Sequence, residues 1–263
     1  MSVRRPAVAG LFYPADAKGL RRSLRSAFAE AVQPLANTPF PKALVVPHAG
    51  YIYSGAVAAG AYQRLAPGRA TVRRVVLLGP SHRVYFEGMA VPSDDRFDTP
   101  LGSVPVDLEL RETVEGMPAV AMCDDPHRHE HSLEVQLPFL QTVLDDFSVL
   151  PISVGDTSTA EVSAVLNAVW GGVETVVVIS TDLSHYHSYH EAIRLDRRTA
   201  AAIVRRSVDE IGDRDACGSR PLRGVLRVAE ERNLSVSQVD LRNSGDTAGD
   251  PERVVGYGAF VIA

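Results

Sequence analysis

The chain of 263 residues has only two cysteines, Cys123 and Cys217. They form neither a CxxC pair nor any zinc-finger spacing, which argues against a disulfide framework. Reduced, buried thiols are the expectation, although Cys217 lies in the turn-forming stretch ACGSRP and has access to a site from there. No apolar run reaches membrane-spanning length. The opening MSVRRPAVAGLFYP holds too few apolar residues before Pro14 for a signal-peptide core, so a cytoplasmic protein with no membrane partner is expected. An excess of basic charge is also missing: the formal net charge is −5. Nucleic-acid binding would need a basic face, so no nucleic-acid partner is expected. The groups Arg21, Arg22 and Arg25, Arg197 and Arg198, and Arg205 and Arg206 sit in helix-like segments and read as solvated faces. The sequence also lacks GxxxxGK[ST], GxGxxG after a strand, HExxH and GxSxG. GYIYSG, without a lysine, is no phosphate loop. There is no internal repeat, and the loop-like stretches 34–42, 93–106 and 123–130 are too short for a linker between domains.

What is present is an ordinary globular composition, 45% apolar with mean hydropathy −0.01. Short runs rich in Val, Ile and Leu read as buried strands at 43–46, 74–78, 88–91, 147–153, 174–180, 235–241 and 254–262. Helical periodicity fills 17–32, 54–65, 132–145, 158–170, 189–208 and 220–232. Alternating strands and helices predict one α/β domain over residues 1–263, with a central, mainly buried mixed sheet flanked by helices.

Histidine placement carries the functional signal. VVPHAGYIYSG puts His48 directly after a strand, and LLGPSHRVYF does the same for His82. ETVVVIST runs into Asp182, Ser184 and His185. Sites in open α/β sheets gather beyond the carboxyl ends of strands, so these side chains are expected to converge. PHRHEHSLEVQLPFL adds His127, His129, His131, Glu130 and Glu134 ahead of a helix with Leu133, Leu137, Leu140 and Leu144 on one face. The glutamates are expected to interact with the helix N-terminus and His127 and His129 to be solvated. His131 reads equally as a solvated residue or as an acid–base group facing the crevice. His187 and His190 read as surface residues. Asp246 and Asp250 read as turn residues by composition, yet a carboxylate among glycines can approach a metal closely. Two histidines and a carboxylate suit non-haem Fe(II) and tolerate zinc or copper.

AGLFYPAD, VPHAGYIYSG, LGPSHRVYFEG, TPLGSVPVD, EHSLEVQLPFLQ, STDLSHY, ACGSRP and NSGDTAGDPERVVGYGA occur in the order seen in Memo proteins, whose bacterial members are often called AmmeMemoRadiSam system protein B. The chain resembles that family from about residue 6 to 262. The resemblance implies a fold similar to the class III extradiol ring-cleaving dioxygenases. It also implies a metal pocket using His48 and His82, lined by Asp182, His185 and His131. Animal members place a cysteine as third ligand near the C-terminus. Here the matching stretch reads SGDTAGD, so Asp246 is the expected replacement, with Ser244, Thr247 or Asp182 behind it. The implied activity is Fe(II)-dependent, extradiol-type oxidation of a small aromatic substrate, with copper or zinc as other metals and His131 or His185 moving the proton. Two alternatives follow from the same pocket: a module binding a phosphorylated peptide or anion, and a metal-dependent hydrolase. A radical-SAM pathway partner is implied by the resemblance alone.

Overall fold

The computed structural model describes residues 2–35 and 38–263, so Ala36 and Asn37 of the expected 34–42 loop lie outside the described residues. Strand β1 (Val3–Arg4) leads into α1 (Ala17–Glu30), β2 (Ala43–Val46) and α2 (Tyr51–Tyr62). Next come β3 (Arg74–Pro80), β4 (Met89–Val91), β5 (Arg96–Thr99), β6 (Gly102–Pro105), α3 (Leu108–Glu115), β7 (Val120–Met122) and α4 (Asp125–Arg128). The second half runs α5 (Leu137–Val143), β8 (Ser148–Val154), α6 (Thr159–Ala168), β9 (Thr175–Ser180), β10 (His185–His187) and α7 (Tyr189–Arg205). It closes with α8 (Ser219–Glu231), β11 (Val236–Asn243) and β12 (Val254–Ile262).

The main sheet has the order β10-β12-β2-β9-β3-β8-β4-β7, with β11 also paired to β12. Strands β2, β9, β3 and β8 are mutually parallel, whereas β12 and β4 join them antiparallel. The mixed α/β sheet expected from the sequence is therefore present. Its central strands read as unbroken apolar runs because both faces are covered. On one face Leu44, Val46, Val75, Leu77, Val176 and Val178 pack with Leu20 and Leu24 of α1, Val57 of α2 and Leu140 of α5. On the other, Val45, Val76, Leu78, Val177 and Ile179 pack with Val162 and Leu166 of α6 and Leu222 and Leu226 of α8. Each such fully buried side chain contributes about 1.5–3 kcal/mol of transfer free energy. Local signals set the helix starts: Asp16 caps α1, and Ser158 with Glu161 forms a capping box on α6. Among the described residues no helix is long and apolar enough to cross a membrane.

Three differences from the sequence reading matter for the site. The helix after His48 begins at Tyr51, not near Ser54, so its first turn abuts the histidine. Residues 93–106, expected as loop, hold the β5–β6 hairpin, which pairs with β1 in a separate three-stranded sheet. Such short strands are defined by a distant partner and leave little periodic pattern. The helix expected from residue 132 becomes regular only at Leu137, after a 3-10 turn over Glu134–Gln136.

The segment preceding that turn is held from the N-terminus. Arg4 donates from Nε to the His127 carbonyl (2.8 Å), from Nη2 to the Glu130 carbonyl (2.7 Å) and from Nη1 to the Glu134 carboxylate (2.7 Å). Glu134 also accepts from the amides of Ala7 and Val8 and from the Tyr13 hydroxyl. Glu134 is thus a fully buried structural anion, not a solvated helix-end charge.

His127 is buried as well, contrary to the solvated position expected for it; His129 stays exposed. Nε2 of His127 donates to the Ala90 carbonyl (3.0 Å), which leaves Nδ1 bare and without a partner. Burial, with a smaller contribution from Arg4, lowers its pKa to about 4 from the ordinary 6.5. Between these values the unfolded chain binds a proton that the folded chain refuses, so stability is lost as pH falls. From pH 7 to pH 4.5 the loss is about 2 kcal/mol. Urea midpoints of the wild type should therefore fall more steeply over this interval than those of His127→Gln. Parallel declines would count against this account.

Candidate metal centre

The three strands β2, β9 and β3 are adjacent and parallel, so their carboxyl ends open at one edge of the sheet. His48 follows β2, His82 follows β3, and Ser180 ends β9 between them. His131 arrives from the segment between α4 and α5. His48, His82 and His131 offer ligand atoms that all lie within 4.8 Å of one another, grading from buried His48 through half-buried His131 to exposed His82. The rings of His82 and His131 stack at 4.7 Å, and His48 stands edge-on to both at 5.1 and 5.3 Å.

The tautomers follow from the surrounding hydrogen bonds. Ser180 Oγ donates to the Ser132 carbonyl (2.6 Å) and accepts from Gln136 Nε2 (2.8 Å), so toward His48 Nδ1 (2.9 Å) it acts as acceptor. Gln136 is itself oriented by the Pro47 carbonyl and the Tyr62 hydroxyl. His48 therefore carries its proton on Nδ1 and presents a lone pair at Nε2. Burial first, then the neighbouring His82 and His131, lowers its pKa and keeps that nitrogen unprotonated.

Glu130 does the same for the other two rings. Its Oε1 accepts from Nδ1 of His82 (2.9 Å) and lies 3.1 Å from Nδ1 of His131. It also accepts from the amides of His82, His131 and Ser132. Burial opposes its ionisation, but the hydrogen bonds from His131 and His82 outweigh burial and hold the carboxyl well below the usual range. Three histidine rings thus converge while each Nδ1 is fixed by an acceptor, which leaves Nε2 as the ligand atom of each. This is the arrangement that metal-binding histidines adopt in proteins. Three imidazole donors fit a divalent transition ion by donor chemistry.

A family profile described as "Memo-like protein" matches residues 4–261. The chain belongs to the Memo family. Among similar curated Memo proteins, a "MEMO1 family protein" of Methanococcoides burtonii is 39% identical, covering 99% of this chain and 100% of its own length. One of Aquifex aeolicus is 38% identical, covering 98% of each. A solved structure of an uncharacterized protein from Escherichia coli K12 superposes with TM-score 0.53 at 14% identity, covering 85% of this chain and 100% of that one, a likeness of fold alone.

In this Memo chain Asp182 lies where expected, beyond β9. Its Oδ1 accepts from the His48 amide (2.8 Å), and Oδ2 stands 4.0 Å from His48 Nε2. Burial raises its pKa, partly offset by that amide bond. His185 donates from Nδ1 to the Leu183 carbonyl (2.8 Å). Its neighbour Tyr186 adopts φ 64°, a strained value that accompanies the bulge between His185 and His187.

Asp246 is not brought to the histidines. It is exposed, with Oδ2 accepting from the Asn243 amide (2.9 Å) and Oδ1 from the Tyr189 hydroxyl (2.5 Å). The 3-10 turn Ser244–Asp246 consumes this carboxylate as a capping group, the turn role that composition favoured. Ser244 accepts from the Val255 amide, and Thr247 donates to the Ser244 carbonyl. His131 occupies the third place in the group instead.

Sequence reasoning expected Glu130 at a helix N-terminus, where the structure instead sets it against His82 and His131, and it passed over Ser180 and Gln136. Glu130 was visible as an acid between two histidines, but its turn inward depends on Arg4 and on the amides after it. Cys217 also reaches the site: its Sγ lies 3.2 Å from His48 Nε2. Clefts of about 710, 420 and 390 Å³ lie elsewhere and include none of His48, His82 or His131.

Proposed function

We propose that this protein is a metal-dependent enzyme whose ion is held by His48, His82 and His131, with Asp182 and His185 handling protons beside it. The observation that carries this reading is the convergence of three histidine rings, each fixed through Nδ1. Bound Fe(II) would supply a meeting point for an ionised substrate hydroxyl and dioxygen, and zinc would supply Lewis acidity there. The raised pKa of Asp182 suits it to hold a proton 4.0 Å from His48. His185, oriented through Nδ1 by the Leu183 carbonyl, would take one from an incoming hydroxyl at Nε2. His131, tied at Nδ1 and directed at Nε2 into the group, serves as ligand, so proton transfer falls to the other two.

The preferred chemistry is extradiol-type oxidation of a small dihydroxylated aromatic. One observation favours a second reading. The donor set contains three imidazoles and no carboxylate, which equally suits zinc-dependent hydrolysis. Metal analysis of anaerobically purified protein tests the centre. Near-stoichiometric metal is expected in the wild type and in Asp246→Ala, with loss in His48→Ala, His82→Ala and His131→Ala. Loss of metal in Asp246→Ala alone would overturn the ligand set. Oxygen uptake with catechols by the iron-loaded protein separates the two chemistries: uptake supports oxidation, and its absence with zinc-dependent ester hydrolysis supports the second.

A further inference from the structure

Cys217 lies outside the group of three nitrogens yet touches its most buried member. The turn that carries it is fitted to the end of β9: Gly218 donates its amide to Thr181 Oγ1 (2.8 Å), and a Cβ on Gly218 would stand 2.8 Å from the Ser180 carbonyl oxygen. Only glycine permits this approach, which sets the preceding thiol against His48. The Asp182 amide donates to Cys217 Sγ (3.3 Å). His48 Nε2, 3.2 Å away, carries a lone pair because its proton is committed to Ser180. The nearer acceptor for the thiol hydrogen is therefore the nitrogen lone pair that a metal would use, with the Asp182 carbonyl farther off at 3.7 Å.

We propose that Cys217 is a fourth protein donor to the metal centre, its S–H···Nε2 contact being replaced by sulfur and nitrogen bound to one ion. This rests on the metal reading above. Adjacent nitrogen and sulfur donors on a four-coordinate ion lie about 3.5 Å apart, given bonds of about 2.0 and 2.3 Å. The observed 3.2 Å is close to that separation. Because Sγ lies outside the tight group, ligation draws it toward His82 and His131 by rotation about Cα–Cβ. A cavity of about 100 Å³, bordered by Ser81, Tyr85, Cys217 and Arg220, gives the thiol room on its outer side. On binding, the S–H bond breaks, the metal–sulfur bond forms and the proton leaves to solvent. A sulfur donor adds softness to three imidazoles and favours retention of zinc or copper.

Co(II) is the probe, in a Cys123→Ser background that removes the other thiol. Stoichiometric Co(II) is expected to give an intense near-ultraviolet sulfur-to-metal charge-transfer band. Adding Cys217→Ala should abolish the band and weaken Co(II) binding about 10-fold or more, on the scale of losses at metal sites. Full Co(II) occupancy of the background protein without that band overturns the proposal, whatever the folding of the alanine variant, and leaves the histidine centre standing. Failure of the background protein to retain any Co(II) overturns the metal reading itself.

Discussion

Glu130→Gln should lower metal affinity by about 10–100-fold, although residue 130 touches no metal. One carboxylate meets the Nδ1 atoms of both His82 and His131 and three backbone amides. A neutral amide offers one acceptor oxygen, and its NH2 group would face donors. One imidazole would lose the partner that fixes its tautomer and orientation. Competition titration with a chromophoric chelator measures the change, and circular dichroism checks that the fold survives. A loss under threefold in a folded variant would show that the histidines are oriented without Glu130. Ser180→Ala should act similarly but less strongly, since it frees one ring.

Arg4→Ala should destabilise the protein by about 3–5 kcal/mol, because it leaves the Glu134 carboxylate buried without its cation. The two side chains are 5% and 0% exposed, so solvent screening offers no relief. Arg4→Lys should recover part of the loss: it keeps the charge but not the planar fork that reaches two carbonyls as well. Because one of those carbonyls belongs to Glu130, Arg4→Ala should also weaken metal binding. Urea unfolding of the three proteins decides the matter. A loss below 1 kcal/mol in Arg4→Ala would mean that the amides of Ala7 and Val8 and the Tyr13 hydroxyl already satisfy Glu134.

Much of the framework was legible because its causes are local or periodic. The runs 43–46 and 254–262 are strands with those bounds, and 174–180 and 235–241 differ by one or two residues. The first three bury side chains on both faces, which produces an unmistakable apolar run, whereas β11 is only partly buried. The approach of His48, His82 and Asp182 to one another was legible from one rule, that they leave the carboxyl ends of strands. The family was legible from motif order.

The 3-10 turn after His131, the β5–β6 hairpin and the burial of His127 were not. Each depends on contacts between residues roughly 90 to 130 positions apart, such as Arg4 with Glu134 or β1 with β5. The choice between His131 and Asp246 shows the same limit. Both are polar residues beside a turn, and the sequence offered a role for either. Asp246 is consumed locally by the Asn243 amide and by Tyr189. His131 is turned inward by Glu130, whose carbonyl is in turn held by Arg4.

The sequence by itself determined the layered sheet, the family and two of the three converging histidines, because hydrophobic periodicity and strand-end position act over a few residues. Only the tertiary structure decided the third histidine, the tautomer of each ring and the approach of Cys217 to His48. Those depend on which buried donors meet which acceptors, and the pairing is set when distant segments pack together.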